Sequence, residues 1–352
     1  MDDLPPIAGS NEPPHRRAPG DCEPDTRATK ARRTAGDGIT LDAAAPLLAE
    51  PQGLVRHLPA LQAGGIDAAL ATIASIEDSA TVDARLASWH EYVSRPSSCA
   101  EIATSVQAIR TAKQRGRFAV VLHLQGLGSI GQSLDLLYQY RAASVSVAQL
   151  TYNHINQLGS GCLEQLDEGL TPLGREVVKA ATSMGLVLDI SHGGKRTTME
   201  AMELAGGSVV ATHANAAALC ASPRNLSDEQ IRAVAACRGV IGLCAFPAFV
   251  ATDHPTVDHL ANHAAYMAEL VGPRHVGLGL DFFEVDKEAY NFYRYDERVY
   301  PKPPWRWPAR IEGFADTQNL RDALVRRGFS SVEVAGIMGE NFLRAFEEAW
   351  GS

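Results

Sequence analysis

Little in this 352-residue chain points to a metal knuckle, a disulfide framework or a nucleic-acid partner. Its six cysteines, Cys22, Cys99, Cys162, Cys220, Cys237 and Cys244, are scattered and form no C-x-x-C pair. That spacing excludes a zinc knuckle or a disulfide-stapled scaffold and suits reduced, buried thiols. No extended basic stripe accompanies the formal net charge of −9, so neither nucleic acid nor a membrane surface is the expected partner. No apolar run is long enough to span a bilayer or to serve as a secretory core. Residues 1–38, rich in Pro, Asp, Arg and Thr, read as a disordered leader, and a cytoplasmic location is the default expectation. The basic residues Arg27, Lys30, Arg32 and Arg33 fall in that tail. What remains, residues 39–352, is ordinary globular sequence, and 45% apolar residues with 30 glycines suit one substantial core.

From Ile39 onward, short apolar runs alternate with amphipathic stretches. Strands are expected at Ile39 to Asp42, Ala68 to Ala74, Phe118 to Leu124, Val145 to Leu150, Leu186 to Ile190, Ser208 to Thr212, Val240 to Cys244 and Val276 to Leu280. Helical periodicity runs through Pro172 to Met184 and Thr256 to Leu270. The alternation is that of an α/β protein, and eight strands are the number that closes a (β/α)8 TIM barrel. An open dinucleotide-binding sheet is the rival, because Gly126-Leu-Gly-Ser-Ile-Gly131 spells G-x-G-x-x-G after a strand. No acidic residue ends the next strand, which finishes at Gln149-Leu150, and the barrel is preferred.

His192 and His213 sit at the ends of two successive strand-like runs, Leu-Val-Leu-Asp-Ile-Ser-His and Ser-Val-Val-Ala-Thr-His. Side chains just past a barrel strand face the end where such folds keep their active sites. Asp281 ends a Gly-Leu-Gly-Leu run and precedes two phenylalanines, an apolar setting in which a carboxylate is costly unless paired. The aromatic, proline-rich stretch from Tyr290 to Pro308 reads equally as a lid over that end or as a packed surface loop.

Several collinear segments carry a family resemblance: Gly169-Leu-Thr-Pro-Leu-Gly-Arg-Glu-Val-Val-Lys179, Leu188-Asp-Ile-Ser-His192, Ala211-Thr-His213, Ser222-Pro-Arg-Asn-Leu226, His275-Val-Gly-Leu-Gly-Leu-Asp281 and Asn341-Phe-Leu-Arg-Ala-Phe346. From about residue 39 to its end the chain resembles the membrane (renal) dipeptidase family, peptidase family M19. The resemblance implies a barrel of the metal-dependent amidohydrolase type. It also implies two zinc ions sharing a glutamate, which together activate water and polarise a scissile amide. By that resemblance His192 and His213 match two zinc ligands, Asp281 the acid/base aspartate, and Arg224 with Asn225 the region that binds the substrate carboxylate. It further implies a homodimer, which no feature of this chain independently demands.

The remaining family positions are altered. Where the family has D-G-H-x-D, this chain has Asp42-Ala-Ala-Ala-Pro46, so Ala44 and Pro46 replace a histidine and an aspartate. Gln125 stands for the bridging glutamate and Tyr152 for a histidine at the scissile group. At most one zinc is therefore expected, and none is an open alternative. A single-metal site would draw on His192, His213 and His123, whose side chain shares a strand face with that of Gln125. Three functions follow as expectations. The first is an enzyme for a small dipeptide, amino-acid or amide-like substrate, using Asp281, His192, His213 and Tyr152 in altered, even non-hydrolytic, acid/base chemistry, with Arg224, Asn225, Tyr152 and Gln125 binding the substrate. The second is a non-catalytic homologue that binds a peptide-like ligand or partner, and the third is a conventional zinc dipeptidase.

Overall fold

The computed structural model describes residues 38–207 and 209–351. The expected leader, its basic cluster and Ser208 lie outside them. All eight barrel strands are present: β1 (Leu41–Ala45), β2 (Ala68–Ala74), β3 (Phe118–Leu124), β4 (Val145–Gln149), β5 (Val187–Asp189), β6 (Val209–Val210), β7 (Ile241–Leu243) and β8 (Val276–Leu278). β1 to β6 are parallel neighbours in chain order, and β7 pairs with β8 in the same sense. The ladder continues from β6 to β7 through Ala211 N donating to Val240 O and Gly242 N donating to Ala211 O. It closes from β8 to β1 through Asp281 N to Ala44 O (3.0 Å) and Leu280 N to Asp42 Oδ1 (2.8 Å). The result is a (β/α)8 barrel. Where the last strands meet, Gly242 and Gly279 flank the Thr212 carbonyl, and a Cβ on either would lie within 2 Å of that oxygen. Only glycine fits such an approach.

β1 begins two residues later than expected and extends through Ala43, Ala44 and Ala45. A run of alanines carries no periodicity, yet all three are buried. A short strand, Ala100–Ile102, pairs with the start of β3 and was not anticipated, being too brief to show a pattern. Helices Pro172–Ser183 and Val257–Val271 start behind Thr171 and Thr256, whose hydroxyls accept from the third helical N–H. Gly128–Ile130 forms a single tight turn in the loop after β3.

Alternation along the strands sorts the interior by height. At the bottom Leu41, Ala43, Leu70, Val121, Val147, Val187 and Val210 pack on Phe342 and Phe346 of the C-terminal helix Asn341–Trp350, which plugs the barrel floor. Two residues further up the same faces stand Thr72, His123, Gln149, Asp189 and Thr212, all buried. An apolar floor under a polar layer leads to the carboxyl ends of the strands, where the candidate site lies. Among the described residues no helix is long and apolar enough to cross a membrane.

Candidate active site

Two strand-end residues, His192 and Asp281, adopt left-handed backbone conformations, with φ of 61° and 56°. For residues other than glycine this costs roughly 1–2 kcal/mol each. Such strain is found where a turn must aim a particular side chain. The Asp281 carboxyl is buried, and burial pushes its pKa up to about 8; Asp42 reinforces the rise, while Arg224 and the Gln125 side chain oppose it. The Cys244 thiol donates to Asp281 Oδ2 at 3.9 Å. Asp42 is likewise raised by burial, to about 7, against hydrogen bonds from Leu280 N and Ala44 N to its Oδ1. Among the described residues its Oδ2 has no hydrogen-bond partner.

The two histidines are turned toward each other. His192 Nε2 lies 2.7 Å from His213 Nε2, while their other ring nitrogens meet Asn153 Oδ1 and Thr212 Oγ1, each at 2.7 Å. Thr212 donates on to Asp189 Oδ2 (2.6 Å), and His123 Nε2 lies 3.2 Å from that same oxygen. Burial raises the proton affinity of Asp189, but the hydrogen bond and charge of His123, the charge of His213 and the hydrogen bond from Thr212 outweigh it and hold the carboxyl well below its usual range. Burial and Arg224 hold both His192 and His213 well below the usual imidazole value.

This arrangement does not fit the family's metals. Two imidazole nitrogens on one tetrahedral zinc, each about 2.0–2.1 Å from it, stand roughly 3.3 Å apart. Here they stand 2.7 Å apart, closer than one shared zinc would leave them. His123, expected as a third ligand, sits one layer lower and faces Asp189. Ala44 and Pro46 offer no donor atom, and Gln125 offers no charge to bridge two dications. Among the described residues no three His, Cys, Asp or Glu side chains form a group able to hold a metal.

A cleft of about 650 Å³, counting its open mouth, occupies the strand ends. Of the expected site residues, Asp281, Gln125 and Tyr152 line it. Tyr152 stacks on the His192 ring at 4.2 Å and separates the histidine pair from the cleft. Its hydroxyl lies 3.1 Å from that of Tyr295, and burial holds its pKa well above the usual phenol value. Arg224 and Asn225, expected at the substrate carboxylate, are buried away from this lining. Arg224 Nη2 donates to His213 O with the guanidinium over the Phe249 ring, and both ends of the Asn225 amide bond backbone groups. A polar side chain on a strand-end loop can turn to the fold's own carbonyls as readily as to a ligand.

The aromatic segment after β8 forms the opposite wall, through Tyr293, Tyr295 and Tyr300. Their hydroxyls reach the barrel at Glu77 Oε1 (3.1 Å), Tyr152 and Asn153 Oδ1 (3.0 Å). The sequence marked this segment but singled out none of the three. It assigned no role to Asp42, Asp189, Glu77 or Arg85; for Asp189 the signal was its place two residues above Val187 on the inward face.

Stability should fall as pH rises from about 6.5 to 8. Asp42 and Asp281 have folded pKa values above the unfolded one, so their contribution is complete below about pH 4 and is lost as pH passes 7 to 8. The depressed histidines act in the opposite sense, but only below about 6.5, and depressed Asp189 only below about 4. Thermal or urea denaturation over that window should show a loss on the order of 2 kcal/mol, about a third smaller in Asp42→Asn. A flat profile would contradict two buried, protonated carboxyls.

Fold and site together define an amidohydrolase-type barrel with a polar cleft at its strand ends. The profile of the membrane dipeptidase family (peptidase family M19) matches residues 50–292, more than half of the chain, and the chain belongs to that family. An uncharacterised dipeptidase of Schizosaccharomyces pombe is 27% identical over 66% of this chain and 54% of its own length. A dipeptidase of Aspergillus oryzae is 27% identical over 65% of this chain and 51% of its own. The chain thus spans about half the length of these curated relatives. Among solved structures, an amidohydrolase from Pseudomonas aeruginosa superposes with a TM-score of 0.79 at 24% identity, over 90% of this chain and 97% of that one. A dipeptidase of family M19 gives 0.75 at 20% identity, over 90% of this chain and all of the other. At these identities the likeness shows the fold.

Proposed function

We propose that the protein is a dipeptidase-family enzyme acting on a small dipeptide, amino-acid or amide-like substrate through acid/base chemistry of its own side chains. The observation that carries this reading is Asp281: a buried carboxyl in the cleft wall, in a strained left-handed turn, with its pKa pushed up to about 8. A carboxyl of that proton affinity can take a proton from a substrate carbon or nitrogen near neutral pH and return it to another position. Tyr152, beside it and held protonated, can donate a hydrogen bond to the oxygen on which charge develops. Proton abstraction, epimerisation or elimination needs no more than this. The relatives named as dipeptidases support a peptide-like substrate class. Two zinc ions are no part of the reading, because the donor set does not accommodate them.

The test is a panel of small dipeptides, amino acids and amides incubated in deuterated water with chelator and followed by NMR. Bond cleavage or deuterium uptake at a substrate carbon in at least one compound is expected. If every compound stays unchanged while some bind, the protein is a non-catalytic homologue.

A further inference from the structure

The polar atoms of the cleft are incompletely satisfied, and the pattern identifies a ligand. Gln125 and Thr72 both line the cleft and are buried, at 2% and 4% exposure, yet among the described residues Gln125 Nε2 and Thr72 Oγ1 make no hydrogen bond of good geometry, the Gln125 amide facing the Asp281 carboxyl whose charged form it favours. The Gln125 carbonyl accepts from Ser75 Oγ at 3.5 Å, which assigns the Nε2 end to the side of Asp281. A buried donor left unpaired costs about 1–3 kcal/mol, a cost that a suitable ligand group removes. The cleft therefore presents an N–H donor next to a carboxyl acceptor. Its complement is a group presenting a carbonyl oxygen next to an N–H, which is the edge of a carboxamide.

Charge narrows the class further. Arg85 supplies the one cationic side chain among the described lining residues, and it is already engaged. Its Nη1 donates to Ile73 O (2.7 Å) and Glu77 Oε1 (2.9 Å), and its Nε lies 3.7 Å from Glu50 Oε1. Arg224 is turned to the His213 carbonyl outside the lining. Glu77 is neutralised by Arg85, the Asp281 carboxyl is protonated below about pH 8, and exposed Glu284 borders the same space. A free substrate carboxylate would meet Glu284 and a neutralised guanidinium, whereas an ammonium group is favoured.

Resting on the acid/base reading of this cleft, we infer that its substrate is a small amino-acid amide, with an uncharged carboxamide on the Gln125 and Asp281 pair, an ammonium group toward Glu284, and no free carboxylate. Thr72 Oγ1 is the remaining hydroxyl within this subsite.

The inference is tested by equilibrium binding of alaninamide, alanine and alanylalanine to the full chain at pH 6.5, read from tyrosine and tryptophan fluorescence and from ligand NMR linewidths. Alaninamide should bind at least about tenfold more tightly than either carboxylate-bearing compound, the factor of about 1.4 kcal/mol expected for one buried hydrogen bond to a polar partner. Gln125→Met, which keeps the volume and removes the donor, should lose that preference; Thr72→Val provides a second, milder variant should the first fold poorly. Equal or tighter binding of alanylalanine, undiminished amide binding by Gln125→Met, or no binding of alaninamide would each overturn the subsite. Selective amide binding without turnover of any compound would uphold the subsite and remove the enzymatic reading. Turnover that depends on Asp281, without amide preference, would do the reverse.

Discussion

Asp281→Asn should lower turnover of the substrate found by the panel by about two to four orders of magnitude, the range for losing a positioned acid or base. The amide keeps the volume of the carboxyl and its contact with Gln125 but cannot carry the proton. Folding should survive, because the ionised Asp281 carboxylate is a liability: burial disfavours its charge, and Asn removes that cost. The variant should melt no lower than the parent at pH 8 while losing activity, and kinetics with a thermal melt check both. Turnover within tenfold of the parent would show that Asp281 is a structural partner of Arg224 and Asp42, and would move the chemistry elsewhere.

The second large effect is on stability. Phe342→Ala should cost about 3–5 kcal/mol, the range for removing a fully buried aromatic ring from a close-packed core. Phe342 stands on the barrel floor against Gly277, so closely that a Cβ on that glycine would lie 2.4 Å from the ring. It packs in one cluster with Leu41, Leu70, Val121, Val147, Val187 and Val210, drawn from six separate strands, and with Val240 just before β7, so the cavity cannot collapse by moving one element. Urea denaturation measures the loss. A cost under about 1 kcal/mol would mean that the C-terminal helix covers the floor without sealing it.

The strands were legible because parallel barrel strands are buried on both faces and read as continuous apolar runs. The ends of β1 and β6 were less so: alanines 43 to 45 look like turn sequence, and only two residues of β6 keep the ladder. His192, His213 and Asp281 were found because each terminates such a run. The direction of their side chains was not legible, since a histidine at a strand end can face a ligand, a metal or another histidine, and the choice rests on neighbours distant in sequence such as Asn153 and Thr212. Arg224 and Asn225 show the same limit. The segment from Tyr290 to Pro308 has no period to read, and only its docking distinguishes Tyr293, Tyr295 and Tyr300, which meet the barrel, from exposed Phe292.

The central claim is that a dipeptidase barrel here works without the zinc pair of its family. It is tested most directly by the zinc content of protein purified without chelator and dialysed against metal-free buffer, with turnover of the panel measured before and after zinc is returned. The account predicts no zinc retained in stoichiometric amount and the same turnover in both samples. Two zinc ions per chain, with turnover that disappears on chelation and returns with the metal, would contradict it.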